Sequence, residues 1–150
     1  MSRDIIKAKK YTHGASCFIS LSDTNRFVQM VDGSYGIINM EGSPLVGKRW
    51  SGKYKKIILD SRIQTMTQFI SAIKYGNYKP LVLINASAVD YYGTSTQEEC
   101  TENTPPGDDF LAHACVTWEK EAEKARVYAT RFVLIRSDIV LDKNEELYYK

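Results

Sequence analysis

The sequence predicts an α/β protein built on a parallel sheet. Three observations carry this reading. Short apolar runs alternate with longer segments whose apolar residues recur at helical spacing. The run at residues 81–84 is apolar at four consecutive positions, the pattern of a strand covered on both faces. Strands that alternate with helices join in parallel through crossovers.

Each element follows from its own signals. Residues 15–20 (ASCFIS) read as a short strand. Residues 23–31 read as a helix with Asp23 or Thr24 at its N-cap. Residues 35–40 (YGIINM) form a second strand, followed by a loop with turn signals at Gly42, Gly47 and nearby Gly52. Ser51 can cap the next helix, where Leu59, Ile63, Met66, Ile70 and Ile73 fall on one stripe until Gly76 and Pro80 stop it. The strand at 81–84 then runs into NASAVDYYG, where an apolar run ends abruptly in polar and aromatic residues. The loop over residues 91–107 is long and polar, and such loops in compact domains are functional or disordered. Asp108 or Asp109 can open a helix whose stripe is Leu111, Cys115, Trp118, Ala122 and Ala125, and residues 131–135 (RFVLI) form the last clear strand.

Composition narrows the function classes. One hundred and fifty residues suit a single domain. Twenty basic and 18 acidic side chains give a net charge of +2, too balanced to argue for nucleic acid or an anionic membrane. No apolar stretch approaches the roughly 20 residues of a bilayer span. The segment MSRDIIKAKK lacks the apolar core of a signal peptide, so a cytoplasmic protein is expected. Three cysteines without CxxC spacing fit reduced thiols, and two histidines, His13 and His113, make a zinc site improbable. Cys115 and Trp118 read as core, and His113 as a surface residue.

The stretches IINMEGSPLVGKRW, DSRIQTMTQFISAI, LVLINASAVDYYG, TENTPPGDDFLAHACVTWEKEA and LIRSDIVL together resemble the NAD(P)-dependent epimerase/dehydratase-like proteins, an atypical branch of the extended short-chain dehydrogenases/reductases named for nucleoside-diphosphate-sugar epimerases. The similarity runs from about Asp32 to Leu141. It implies a partial Rossmann-like, doubly wound parallel sheet with flanking helices, spanning residues 1–150 as one incomplete domain. It also implies NAD or NADP as the parent family's cofactor and a nucleotide-sugar-like small molecule as its substrate.

The resemblance places Ala86 and Ser87 at the end of the family's fifth strand, Ser87 against substrate or nicotinamide with its hydroxyl facing the crevice. Tyr91 and Tyr92 would line the pocket, one of them standing in for a lost catalytic tyrosine; the alternative is a ring that only packs under the loop. Gly42, after Met40 and Glu41, would face the cofactor ribose. Arg62 would reach cofactor or substrate from its helix, and Arg136 and Ser137 would end the sixth strand on the ligand side.

Departures from the family pattern bear on activity. The glycine-rich GxxGxxG turn that holds the cofactor pyrophosphate has no counterpart here; Gly33 and Gly36 are followed by Asn39 at the third position. The usual YxxxK places fall on Leu111 and Cys115, neither of which can transfer a proton, and the pair Tyr75 and Lys79 reads as coincidence. Glu41 puts an anion near where phosphates would lie, and Asp138 stands where the family has glycine. The expectation is a fragment of an epimerase-like oxidoreductase, inactive alone and binding no cofactor. The alternative is a non-catalytic pseudoenzyme or scaffold of the same fold. With the family's first two strands lacking, the uncharged edge at residues 35–40 is expected to self-associate as a homo-oligomer, unless residues 15–20 pair with it instead.

Overall fold

The computed structural model describes residues 5–11, 14–45, 49–94, 99–128 and 131–138. The elements run α1 (Ile5–Tyr11), α2 (Thr24–Val31), β1 (Gly36–Asn39), α3 (Gly52–Tyr75), β2 (Val82–Ala88), a 3-10 turn (Val89–Tyr92), α4 (Phe110–Glu123), a second 3-10 turn (Lys124–Val127) and β3 (Arg131–Ser137). The three strands form one parallel sheet in the order β1-β2-β3. That is the contiguous parallel sheet the sequence predicts.

Local chemistry sets the helix ends. Asp23 caps α2 by accepting from the Arg26 amide at 3.1 Å. Ser51 caps α3 through the Tyr54 amide at 3.2 Å, and Asp109 caps α4 through the Ala112 amide at 2.9 Å. Gly76 ends α3. Just beyond it, the Lys79 ammonium donates to the carbonyls of Ile73, Lys74 and Gly76 at 2.6, 2.9 and 2.6 Å. A cation on the unpaired carbonyls of a helix C-terminus is favoured by both hydrogen bonding and the dipole. Lys79 thus has a structural task, and Tyr75 is exposed.

The core lies between the sheet and α3 with α4. Ile37 of β1 and Leu83 of β2 bury fully against Met66, Phe69, Ala72 and Ile73 of α3 and Ala122 at the end of α4, with Phe132 and Leu134 of β3 packed alongside. From α2, Phe27 meets Phe69 at 5.0 Å between ring centroids.

Three expectations are corrected. Residues 15–20 form no strand; Ser20 alone makes an isolated bridge, and the strand edge of β1 pairs with β2 only among the described strands. The run at 81–84 is not equally covered on both sides: β2 alternates, with Leu83 at 0% exposure and Val82 and Ile84 half-buried, because both long helices pack on the same face. The buried face of α3 is rotated from the apolar stripe. It runs through Tyr54, Ile58, Thr65, Phe69 and Ala72 as well as Met66 and Ile73, while Leu59, Ile63 and Ile70 are only half-buried. α3 meets α4 along one flank and packs Met66, Phe69, Ala72 and Ile73 against the sheet along another, so a polar Thr65 is buried and some aliphatic residues stay at the margin.

Candidate functional site

In parallel α/β sheets ligands bind at the carboxyl ends of the strands. Here those ends carry polar side chains whose positions follow from strand alternation. Asn39, Asn85 and Ser87 point to the helix-covered face and are 2%, 0% and 5% exposed. Asn39 and Asn85 are register partners on adjacent strands, and the Asn39 amide donates to Asn85 Oδ1 at 2.6 Å. Asn85 in turn donates to the Ala86 carbonyl at 2.8 Å, and Asn39 Oδ1 accepts from the Glu41 amide at 3.2 Å. This pair satisfies its own hydrogen bonds and fixes how the chain leaves β1 toward Gly42.

One residue pair further along, Ser87 of β2 sits beside Arg136 of β3. Both converge on Glu119 of α4. Ser87 Oγ donates to Glu119 Oε1 at 2.6 Å, and Arg136 forms a bidentate pair with the same carboxylate, Nε to Oε1 at 2.9 Å and Nη2 to Oε2 at 2.8 Å. The third guanidinium nitrogen, Nη1, donates to the Tyr92 hydroxyl at 2.9 Å. The guanidinium lies over the Tyr91 ring, 3.5 Å from its centroid, and the two tyrosine rings meet edge-on at 5.3 Å. Hydrogen bonding to Glu119 holds the Arg136 guanidinium above its usual range, so it stays charged at any working pH. Ser87, Tyr91, Tyr92 and Arg136 are therefore one cluster. The Ser87 hydroxyl is turned to Glu119 and not toward the crevice. Cys115 lies against Ser87 and the Ala88 backbone, and burial pushes its thiol up.

Gly42 and Arg62 form a second group. A Cβ at Gly42 would come within 2.8 Å of Arg62 Cζ, so only glycine admits the guanidinium this close. Arg62 spends donors on the carbonyls of Ile58 and Ser43, at 3.1 and 3.3 Å, and stacks over Trp118 at 5.1 Å. Burial pulls its pKa down. It ties the loop after β1 to α3. Ala86 and Ser137 alternate onto the other face of the sheet, Ala86 half-buried and Ser137 exposed, away from both groups.

The loop after the 3-10 turn is fastened at its base. Gly93, at φ +71°, lies against Gly107, where a Cβ would come within 2.6 Å of Gly93 Cα, and the Gly107 amide donates to the Tyr91 carbonyl at 3.0 Å. Two facing glycines let the ends of this loop close beside Tyr91 and Tyr92.

Sequence reasoning missed Glu119, the hub of the first cluster, and the Asn39–Asn85 pair. Glu119 is four residues after Cys115 and so shares its buried helix face, a signal that was there to be read. Asn85, a polar residue inside an apolar strand, was a second. Among the described residues no three His, Cys, Asp or Glu side chains cluster as a metal site would, and no helix is long and apolar enough to cross a membrane.

The residues fit a dinucleotide only in part. Gly42, Ser87 and Arg136 provide carboxyl-end positions, but no glycine-rich turn opens a helix in this sequence to cradle the pyrophosphate.

A parallel sheet with helices crossing one face, and polar side chains gathered at its carboxyl ends, defines part of a Rossmann-type fold. No protein-family model matches the chain. It is 38% identical over 128 residues to the chloroplastic epimerase family protein SDR39U1 homologue of Arabidopsis thaliana, covering 84% of this chain and 36% of that protein. It is 40% identical over 105 residues to the epimerase family protein Mb2239 of Mycobacterium bovis, covering 70% of this chain and 34% of that one. The structure of human SDR39U1 (isoform 2), solved with NADPH, superposes with a TM-score of 0.70 at 26% identity, over 83% of this chain and 43% of the human one. The chain belongs to this NAD(P)-dependent epimerase-like family of short-chain dehydrogenases/reductases. It spans about a third of the length of these curated relatives.

Proposed function

We propose that this chain supplies the central strands and the substrate-facing wall of an NAD(P)-dependent, nucleotide-sugar epimerase-like oxidoreductase, and that by itself it holds neither NAD nor NADP tightly. The observation that carries the reading is the convergence of Ser87 and Arg136 at the strand ends on the buried Glu119 carboxylate, with Tyr92 of the following turn joined to them through Arg136. The parent chemistry is hydride transfer at a sugar carbon or related carbonyl, with nicotinamide as the hydride carrier when bound. The residues here would bind and orient the sugar. Ser87, buried and bonded to Glu119, would act by holding that carboxylate, and through it Arg136, in place rather than by touching the substrate. Tyr92 accepts from Arg136 and keeps its own proton to donate to a substrate oxygen. That makes Tyr92, more than Tyr91, the candidate for proton transfer, since Tyr91 lies with its ring face under the guanidinium. Gly42 and Arg62 would bound the cofactor side.

A second reading, a non-catalytic scaffold of the same fold, is favoured by Arg62, which is spent on backbone carbonyls, and is in keeping with the resemblance, which puts the usual YxxxK places on Leu111 and Cys115. Calorimetric titration of the chain with NAD, NADPH and a uridine-diphosphate sugar separates the possibilities. Weak or absent dinucleotide binding is expected because the pyrophosphate cradle is lacking, and micromolar binding of either dinucleotide would sink that part of the reading. Sugar-nucleotide binding that is lost in Arg136→Met supports the substrate wall; none at all supports the scaffold.

A further inference from the structure

We propose that one water molecule is a fixed part of this protein, held between α3, α4 and the 3-10 turn at Val89–Tyr92, where it accepts a hydrogen bond from Trp118 Nε1 and donates one to the Asp90 carboxylate. Through this water α4 sets the position of the turn that carries Tyr91 and Tyr92.

The donor is the first observation. Trp118 is 6% exposed, and among the described residues its Nε1 is the one buried side-chain nitrogen or oxygen without a hydrogen-bond partner. An indole N–H can only donate, and buried donors in native folds are met by protein or by ordered water. Trp50, the other tryptophan, is met by protein: its Nε1 donates to the Leu45 carbonyl at 2.8 Å.

Space is the second. Trp118 lines a cavity of about 30 Å³, walled by Ile58 of α3 and by Leu111 and Ala114 of α4. The share of one molecule in liquid water is about 30 Å³, so the cavity admits a water and no larger ligand. A purely apolar cavity of this kind stays dry, but here the Arg62 guanidinium and the Asp90 carboxylate belong to the same wall.

Charge is the third, and it decides the occupant. Arg62 and an indole N–H by themselves suit a small anion. Asp90 opposes one. Behind burial, which is the larger influence, the Asp90 charge acts on both the Arg62 guanidinium and the Cys115 thiol, which share the cavity wall. An anion would lie against that carboxylate. The occupant must be neutral, accept from Trp118 and donate to Asp90. At this size that molecule is water.

The consequence is mechanical. Asp90 belongs to the same turn as Tyr91 and Tyr92, and the turn packs on α4. Arg136 grips the turn from β3 through the Tyr92 hydroxyl and the Tyr91 ring. The water grips it from α4 at Asp90, which makes Asp90 and Trp118 positioning residues. The water and its two bonds do not depend on the proposed function; only the bearing of a fixed Tyr92 on sugar binding rests on that reading.

The test uses the full chain labelled with nitrogen-15. Trp50 and Trp118 give the two indole N–H signals, and magnetisation transfer from water to each is measured at a pH where indole exchange is slow. We expect Trp118 Nε1–H to show contact with a water resident for longer than nanoseconds, with carbonyl-bound Trp50 as the internal control. The contact should vanish in Asp90→Ala and return in Asp90→Asn, whose amide oxygen still accepts. Hydrogen exchange of the Gly93 amide, which donates to the Asp90 carbonyl at 3.0 Å, reads the turn itself. Trp118→Phe keeps an aromatic ring and removes the donor, and should speed that exchange about fivefold, the worth of one hydrogen bond. Absence of a resident water in the wild-type chain overturns the proposal. So does a contact that persists in Asp90→Ala, one lost in Asp90→Asn as well, or an unchanged Gly93 rate in Trp118→Phe. A Trp118 indole signal that shifts on titration with chloride means an anion in the cavity and overturns it too. The wild-type spectrum decides occupancy even where Trp118→Phe does not fold. Calorimetry with a sugar nucleotide is read separately, and its failure touches the proposed function and not the water.

Discussion

Replacing Glu119 tests the centre of the candidate site. Its side chain is 9% exposed and its carboxylate accepts three hydrogen bonds, one from Ser87 and two from Arg136, whose side chain is 18% exposed. Glu119→Ala leaves a mostly buried guanidinium and a buried hydroxyl without their acceptor. Removing one partner of a buried ion pair costs about 3–5 kcal/mol. Arg136 keeps its bond to Tyr92 and some access to water, so the lower end, about 3 kcal/mol, is expected. That is a large part of the roughly 5–15 kcal/mol that holds a domain together. Urea unfolding followed by circular dichroism measures it, with an unchanged slope confirming that the folded state is intact. Glu119→Ala combined with Arg136→Met should cost less than the two changes added, because the orphaned charge is gone. A loss below about 1 kcal/mol for Glu119→Ala, or strict additivity in the double variant, would refute the assignment of Glu119 as hub.

Two further outcomes follow from the same structure. The Asp32 carboxylate accepts from the Tyr78 amide at 2.7 Å and from the Asn77 side chain, and Asp109 accepts from Ala112; backbone hydrogen bonds hold both below their usual value of 3.8. A depressed folded value means that their stabilising contribution is complete above the ordinary carboxylate range and is lost as pH falls through the folded value. Carbon-detected NMR titration should show both carboxyls protonating below 3.8, and either one titrating above it would contradict the hydrogen bonds. Among the cysteines, Cys17 and Cys100 are exposed whereas Cys115 is buried with its thiol pushed up. Mass spectrometry of the chain treated with a thiol reagent should find two sites labelled quickly and Cys115 only after unfolding, and rapid labelling of all three would show the α4–β2 packing to be wrong.

Much of the fold was written in local sequence. Asp23, Ser51 and Asp109 have oxygens at the right distance from a following amide, and Gly76 and Pro80 are poor residues to continue a helix, so helix boundaries could be read one turn at a time. The parallel order of the three strands followed from their separation by helices, and the family from motifs that run along the chain. Cys115, Trp118 and His113 were placed correctly because helical spacing alone sorts core from surface. Tertiary structure decided the rest. Residues 15–20 have strand-like composition, yet a strand needs a run of ladder partners, and only the isolated bridge at Ser20 forms there. The burial of Val82 and Ile84 depended on which face the helices chose, a choice made by packing between α3 and α4 rather than within β2. The direction of the Ser87 hydroxyl depended on Glu119, 32 residues away, and the reach of Arg136 on a tyrosine 44 residues away. Periodicity fixes which side chains share a face; only the folded chain fixes which of them share a proton.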